Sequence, residues 1–111
     1  MKAKALGVLA IALLFAGCLS SETGYTPGTF EGSGRGYRGP IYIRLQTGPA
    51  GIEDIVIVRH NESAFPGAAA LAELIEAVLE HGSTDVDTIS GATFSSRGFL
   101  EAVENALRKA R

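Results

Sequence analysis

Residues 41–59 read Ile-Tyr-Ile-Arg-Leu-Gln-Thr-Gly-Pro-Ala-Gly-Ile-Glu-Asp-Ile-Val-Ile-Val-Arg. Ile41, Ile43 and Leu45 alternate with Tyr42, Arg44 and Gln46, the period-two pattern of a strand that buries one face. Gly48-Pro49-Ala50-Gly51 turns the chain, and Ile52, Ile55, Val56, Ile57 and Val58 supply the next strand. Two such runs joined by so short a loop form an antiparallel hairpin.

Before the hairpin, residues 29–37 read Thr-Phe-Glu-Gly-Ser-Gly-Arg-Gly-Tyr. Gly32, Gly34 and Gly36 fall two apart, so on a strand all three share one face and leave it bare of side chains. The expectation is a bulged or loosely specified edge strand, with close approach of a planar ligand or another element as the alternative.

After the hairpin the period changes from two to between three and four. Pro66 and Gly67 open a helix on which Leu71, Leu74, Ile75, Val78 and Leu79 form the apolar stripe, opposite Glu73, Glu76 and Glu80. Gly82 is placed to end it, with His81 as its solvated last turn. A second stripe runs through Phe99, Val103, Ala106, Leu107 and Ala110, with Ser95 or Ser96 expected as the cap and Arg108, Lys109 and Arg111 at the negative end. This order excludes an alternating parallel sheet. It predicts an α+β fold: a small antiparallel sheet of three or four strands packed against two helices. The fourth strand would come from Thr84–Val86 or from Asp87–Ile89.

The first residues read as an address. Lys2 and Lys4 precede an apolar run from Ala5 to Ala16, too short for a membrane span and of the length of a signal-peptide core. Phe15-Ala16-Gly17-Cys18 resembles the lipobox of prokaryotic lipoproteins, in which the Cys is lipidated and becomes the new N-terminus. The expected organisation is a leader over 1–17, a tether over 18–28 that includes Tyr25, and one domain over 29–111. Cys18 is the sole cysteine, which rules out an intramolecular disulfide or a Cys-only metal site. The 111-residue chain has a formal charge of −2, and removing a leader that holds Lys2, Lys4 and no acid takes it to −4, no footprint for nucleic acid.

Between the helices stands Asp87-Thr88-Ile89-Ser90-Gly91-Ala92-Thr93. Unpaired N–H groups and the helix dipole favour an anion at such a helix start. Gly91 permits a tight or positive-φ turn, Ala92 avoids bulk, and the hydroxyls of Ser90, Thr93, Ser95 and Ser96 offer donors to phosphate oxygens. Asp87 would repel a phosphate and is better suited to bonding loop amides or to meeting a metal ion brought by a modifying enzyme. On local physics alone, a capped helix start accounts for the stretch as well as a phosphate site does.

The stretch resembles the D-x-x-S/T-G-A-T motif of the FMN-binding domain family, which includes flavin-carrying subunits of Rnf and sodium-pumping quinone reductase complexes and many small exported lipoproteins. The resemblance extends to Gly34-Arg35-Gly36-Tyr37-Arg38-Gly39-Pro40-Ile41, to the hairpin, to both helices and to Ser83-Thr84-Asp85-Val86, about residues 28–110. It implies FMN linked by a phosphoester bond to Thr93, installed outside the cytosol by a dedicated flavin transferase. It also implies an electron carrier tethered to a membrane through Cys18 that exchanges electrons with redox partner proteins. The site residues so implied are Thr93, Ser90, Gly91, Ala92, Phe94, Ser95 and Asp87. Where larger members carry a Glu-Thr-Pro-Gly loop, this chain has Glu62-Ser63-Ala64-Phe65-Pro66-Gly67, which leaves that loop's contribution open.

Tyr37, Tyr42, Phe65 and Phe94 are candidates to stack on the flavin ring, although a small domain without Trp is expected to need most of its eight aromatics inside. His60 and Glu62 either line the site or are solvated loop residues. His60 and His81 have no companion at metal-ligand spacing. Nothing legible supports independent turnover of a metabolite. Two rivals stand beside the covalent carrier: FMN held noncovalently, and a non-redox envelope lipoprotein that binds a partner.

Overall fold

The computed structural model describes residues 24–111. Three strands, β1 (Gly28–Arg35), β2 (Pro40–Gly48) and β3 (Gly51–Arg59), form one antiparallel sheet in sequence order. A single wide turn at Ala64–Ala68 leads into α1 (Ala69–His81), and α2 (Thr93–Ala110) closes the chain. The α+β architecture is as expected, with three strands among the described residues. Residues 84–89 pair with no strand. Their backbone and side chains are held by α2 instead: the Ser96 hydroxyl accepts the Ile89 N–H at 3.0 Å, and the Thr84 hydroxyl donates to Glu104 at 2.8 Å. The leader and Cys18 lie outside the described residues.

The hairpin pairs Ile43 with Ile57 and Leu45 with Ile55, and Ile41, Ile43, Leu45 and Ile55 are buried. Against them pack Leu71, Leu74 and Val78 of α1, and Phe99, Val103 and Leu107 of α2. Gly82, at φ 79°, ends α1 in the left-handed conformation and donates its N–H to the Val78 carbonyl at 2.8 Å.

The bare glycine face of β1 is not loosely specified. It is the seat of α2. A Cβ on Gly34 would stand 2.0 Å from the Gly98 carbonyl oxygen, and one on Gly32 would stand 2.2 Å from that of Ala102. The stripe of α2 that meets them is Gly98, Ala102 and Ala106, so helix backbone lies directly on strand backbone. Of the two expectations, close approach of another element is the correct one, and the element is a helix.

One row over on the helix, the side chains at 101, 105 and 109 reach the free edge of β1. Glu101 accepts the Arg35 N–H at 2.9 Å, Asn105 donates to the Ser33 carbonyl at 2.7 Å, and Lys109 donates to the Glu31 carbonyl at 2.6 Å. An edge strand that would otherwise present open donors and acceptors is thus satisfied by a helical i, i+4, i+8 row. The segment before β1 is ordered too. Tyr25, expected in the tether, packs against the core because Thr26 donates its N–H to the Ala110 carbonyl at 2.5 Å and accepts the buried Thr47 hydroxyl at 2.6 Å.

Gly34→Ala should cost about 2–3 kcal/mol, the upper part of the usual range for overpacking. Ser33→Ala, on the exposed face of the same strand, should stay within about 0.5 kcal/mol. Urea denaturation of the two variants checks the contrast.

Candidate functional site

The α2 N-terminus is where the motif meets the rest of the domain. Ala92 donates its N–H to the Ile89 carbonyl at 3.0 Å, closing a four-residue turn with Gly91 at φ 85° in its third position. That φ belongs to a type II turn and explains the glycine. The expected caps do not form: α2 begins at Thr93, two residues before Ser95, and no side chain caps it. Both serines are buried and committed elsewhere. The Ser96 hydroxyl donates to the Ala92 carbonyl at 2.7 Å while accepting the Ile89 N–H, so it staples the loop to the helix. The Ser95 hydroxyl donates to Glu62.

With its caps diverted, the first turn of α2 keeps its amides open. It faces a cavity of about 290 Å³ lined by Tyr37, Glu62, Ser63, Pro66, Gly67, Gly91, Ala92, Thr93, Phe94 and Ser95. This is near the lower end of the range for small-molecule sites. Thr93 is half-buried at its edge. Tyr37 and Phe94 stack at the rim, with ring centroids 6.1 Å apart and planes at 28°. They are 73% and 62% exposed, so the core does not explain them. Five of the seven motif-based site residues (Gly91, Ala92, Thr93, Phe94 and Ser95) line this cavity. Ser90 is exposed on the turn behind it. Asp87 instead borders a separate groove with Glu80, His81 and Asp85, on the α1 side.

The other stacking candidates divide. Tyr42 lies away from the cavity beneath the Arg59 guanidinium, which stands 4.6 Å from its ring centroid. Phe65 is 81% exposed, on the wide turn that also carries Pro66 and Gly67 into the lining. The core expected to take these rings is filled by aliphatic side chains and Phe99.

Glu62 is the residue whose importance the sequence left undecided. It is buried, and its carboxylate accepts the backbone N–H groups of Tyr37 and Arg38, each at 2.9 Å, besides the Ser95 hydroxyl. Its own N–H donates to His60 Nδ1 at 3.0 Å. Burial alone would push the Glu62 carboxyl up. The Ser95 hydroxyl and the two backbone amides outweigh it and hold the carboxyl below the usual glutamate range. The departing loop therefore does contribute to the cavity, through Glu62, Ser63, Pro66 and Gly67.

A cavity with an open helix N-terminus at one end and a stacked aromatic rim at the other suits a ligand that is phosphate at one end and planar at the other. Comparison with known proteins agrees. The sequence model of the FMN-binding domain family matches residues 36–108. An uncharacterized protein of Treponema pallidum (strain Nichols) is 30% identical over 82 residues, 74% of this chain and 23% of its own length. The NADH:acrylate oxidoreductase of Vibrio harveyi is 30% identical over 83 residues, 75% of this chain and 8% of its own length. The chain thus spans under a quarter of either relative.

The Glu62 network gives a pH dependence of defined sign. Because the folded carboxyl titrates below its unfolded value, its contribution is complete above the ordinary glutamate pKa of about 4.3 and is lost as pH falls through the lower, folded value. Glu62→Gln removes that titration. Urea denaturation from neutral to acid pH should show the wild type losing more stability than the variant as pH drops below about 4.3.

Proposed function

Because the chain belongs to the FMN-binding domain family, whose cofactor is FMN, we propose that it is an electron carrier that holds FMN through a phosphoester bond to Thr93. The observation that carries this reading is the position of Thr93: the first residue of an uncapped helix, half-buried, at the edge of the cavity rimmed by Tyr37 and Phe94. A phosphate joined to its hydroxyl would lie beside the first turn of the helix, where the dipole favours negative charge. The relationship to an NADH:acrylate oxidoreductase, a redox enzyme by name, supports electron transfer as the use of the flavin.

When bound, FMN supplies the electron-accepting and electron-donating ring, and the chain supplies its seat. The amides of the α2 start favour the phosphate charge, the Ser96 staple fixes the turn that presents them, and Tyr37 and Phe94 offer an aromatic face to the ring. Attachment requires a donor whose flavin phosphate bears a leaving group, such as a flavin dinucleotide. The Thr93 oxygen forms the new P–O bond, the pyrophosphate bond breaks to expel a nucleoside monophosphate, and the hydroxyl proton passes to a base. Of the cavity lining, the Glu62 carboxylate already accepts three hydrogen bonds, and in this reading a separate flavin transferase supplies the base. Asp87, outside the cavity and exposed, is available to that enzyme.

The sequence of the leader supports export, with lipidation at Cys18 anchoring the domain on the extracytoplasmic side of the membrane and redox partner proteins meeting it there. A covalent bond suits that location, where dissociated flavin would be lost by dilution. Among the described residues no helix is long and apolar enough to cross a membrane.

Co-expression with a flavin transferase should yield a Thr93-containing peptide heavier by one FMN phosphoester, and denaturation should release no flavin. Thr93→Ala should abolish the mass increment. Free flavin released from denatured wild type would establish noncovalent binding instead, and wild type without flavin absorbance would remove the carrier reading.

A further inference from the structure

Tyr37 and Phe94 lie far apart in the sequence, and both rings stand mostly in solvent, so neither is positioned by burial. Their backbones are positioned, and by one side chain. Glu62 Oε1 accepts the Tyr37 N–H and the hydroxyl of Ser95, the residue after Phe94, while Oε2 accepts the Arg38 N–H. A single buried carboxylate therefore bridges the β1–β2 loop to the first turn of α2.

The surroundings are shaped to it. A Cβ on Gly36 would stand 3.0 Å from Glu62 Oε1, and one on Gly67 would stand 2.8 Å from the Glu62 Cβ. Both neighbouring backbones thus lie close against this side chain, each where only glycine fits without a shift. All three donors satisfy the carboxylate in its charged form, which such a burial site otherwise penalises.

We propose that Glu62 is the positioning residue of the flavin site: it fixes the Tyr37 ring relative to Phe94 and so sets the aromatic face on which the flavin ring rests. It acts through backbone amides and Ser95 and does not itself need to touch the cofactor. The proposal rests on the reading of Thr93 as the FMN attachment point.

The test uses the flavin-loaded protein, with loading verified by the mass of the Thr93 peptide, and measures flavin fluorescence, which stacking on an aromatic ring quenches. Tyr37→Ala should raise the fluorescence severalfold. Glu62→Gln, which cannot accept all three donors, should raise it toward the same level. The double variant should go no further than Tyr37→Ala alone, since both changes act on one contact. Ser95→Ala keeps the carboxylate and removes one of its three bonds; it should give a smaller rise and carries the test where Glu62→Gln fails to fold.

A purely structural role for Glu62 lowers the melting temperature and leaves fluorescence at the wild-type level, and that result overturns the proposal. So does a Tyr37→Ala protein that fluoresces like the wild type, because Tyr37 then does not face the flavin. Absence of flavin from the wild type is a different failure, and it removes the attachment at Thr93 instead.

Discussion

The helix α2 lies on the backbone of β1, and nearly everything about the site follows from how close it lies. Side chains on both surfaces would hold a helix and a strand well apart. Here Gly32 and Gly34 on one side and Gly98, Ala102 and Ala106 on the other let the two backbones touch. A glycine inside a helix costs about 1 kcal/mol relative to alanine, and Gly98 is worth it because a Cβ there would stand 2.6 Å from the Arg35 carbonyl. The same closeness brings Glu101, Asn105 and Lys109 within reach of the strand edge. With the helix fixed in register against the strand, its first turn must fall beside the loop that follows β1, and Thr93 and Phe94 arrive opposite Tyr37.

A buried charge completes what the backbone contact begins. The aromatics of the three segments around the cavity, 36–38, 62–67 and 91–95, stand mostly in solvent. Glu62 supplies direction where packing does not, since each of its hydrogen bonds ends on a different segment or residue. A carboxylate removed from water is tolerated only if its oxygens are met by donors. Here all of the buried side-chain polar atoms among the described residues have partners.

Local periodicity made the fold class legible. Ile41, Ile43 and Leu45 alternate, Leu71, Leu74 and Val78 recur at helical spacing, and each pattern records burial of one face. Gly82 and Gly91 were readable for a similar reason, because a left-handed backbone leaves few residue choices. What the sequence could not display was the partner of each group. Ser95 and Ser96 look like caps, since a hydroxyl at a helix start usually turns back on its own amides; that they bond Glu62 and the Ala92 carbonyl depends on residues and turns brought in by the fold. Glu62 is 33 residues from Ser95, a separation with no periodic signature. Gly98 carried a signal of its own, a glycine within a helical stripe, which in combination with Gly32 and Gly34 points to a close helix–strand crossing. Tyr37, Phe65 and Phe94 stand outside, against the usual rule that a small domain hides its rings, because Phe99 and aliphatic side chains already fill the core.

The chain comes into the domain at one pole and presents Thr93 at the other. Thr26 is bonded to Ala110, the last residue of α2, whereas Thr93 is the first. Eighteen residues of helix separate these points by about 27 Å. Helix α2 is thus a strut with its foot at the incoming segment and the aromatic rim at its head. A pull on Thr26 is therefore taken at the foot of this strut, and the head with Thr93 and the aromatic rim stands a full helix length from it.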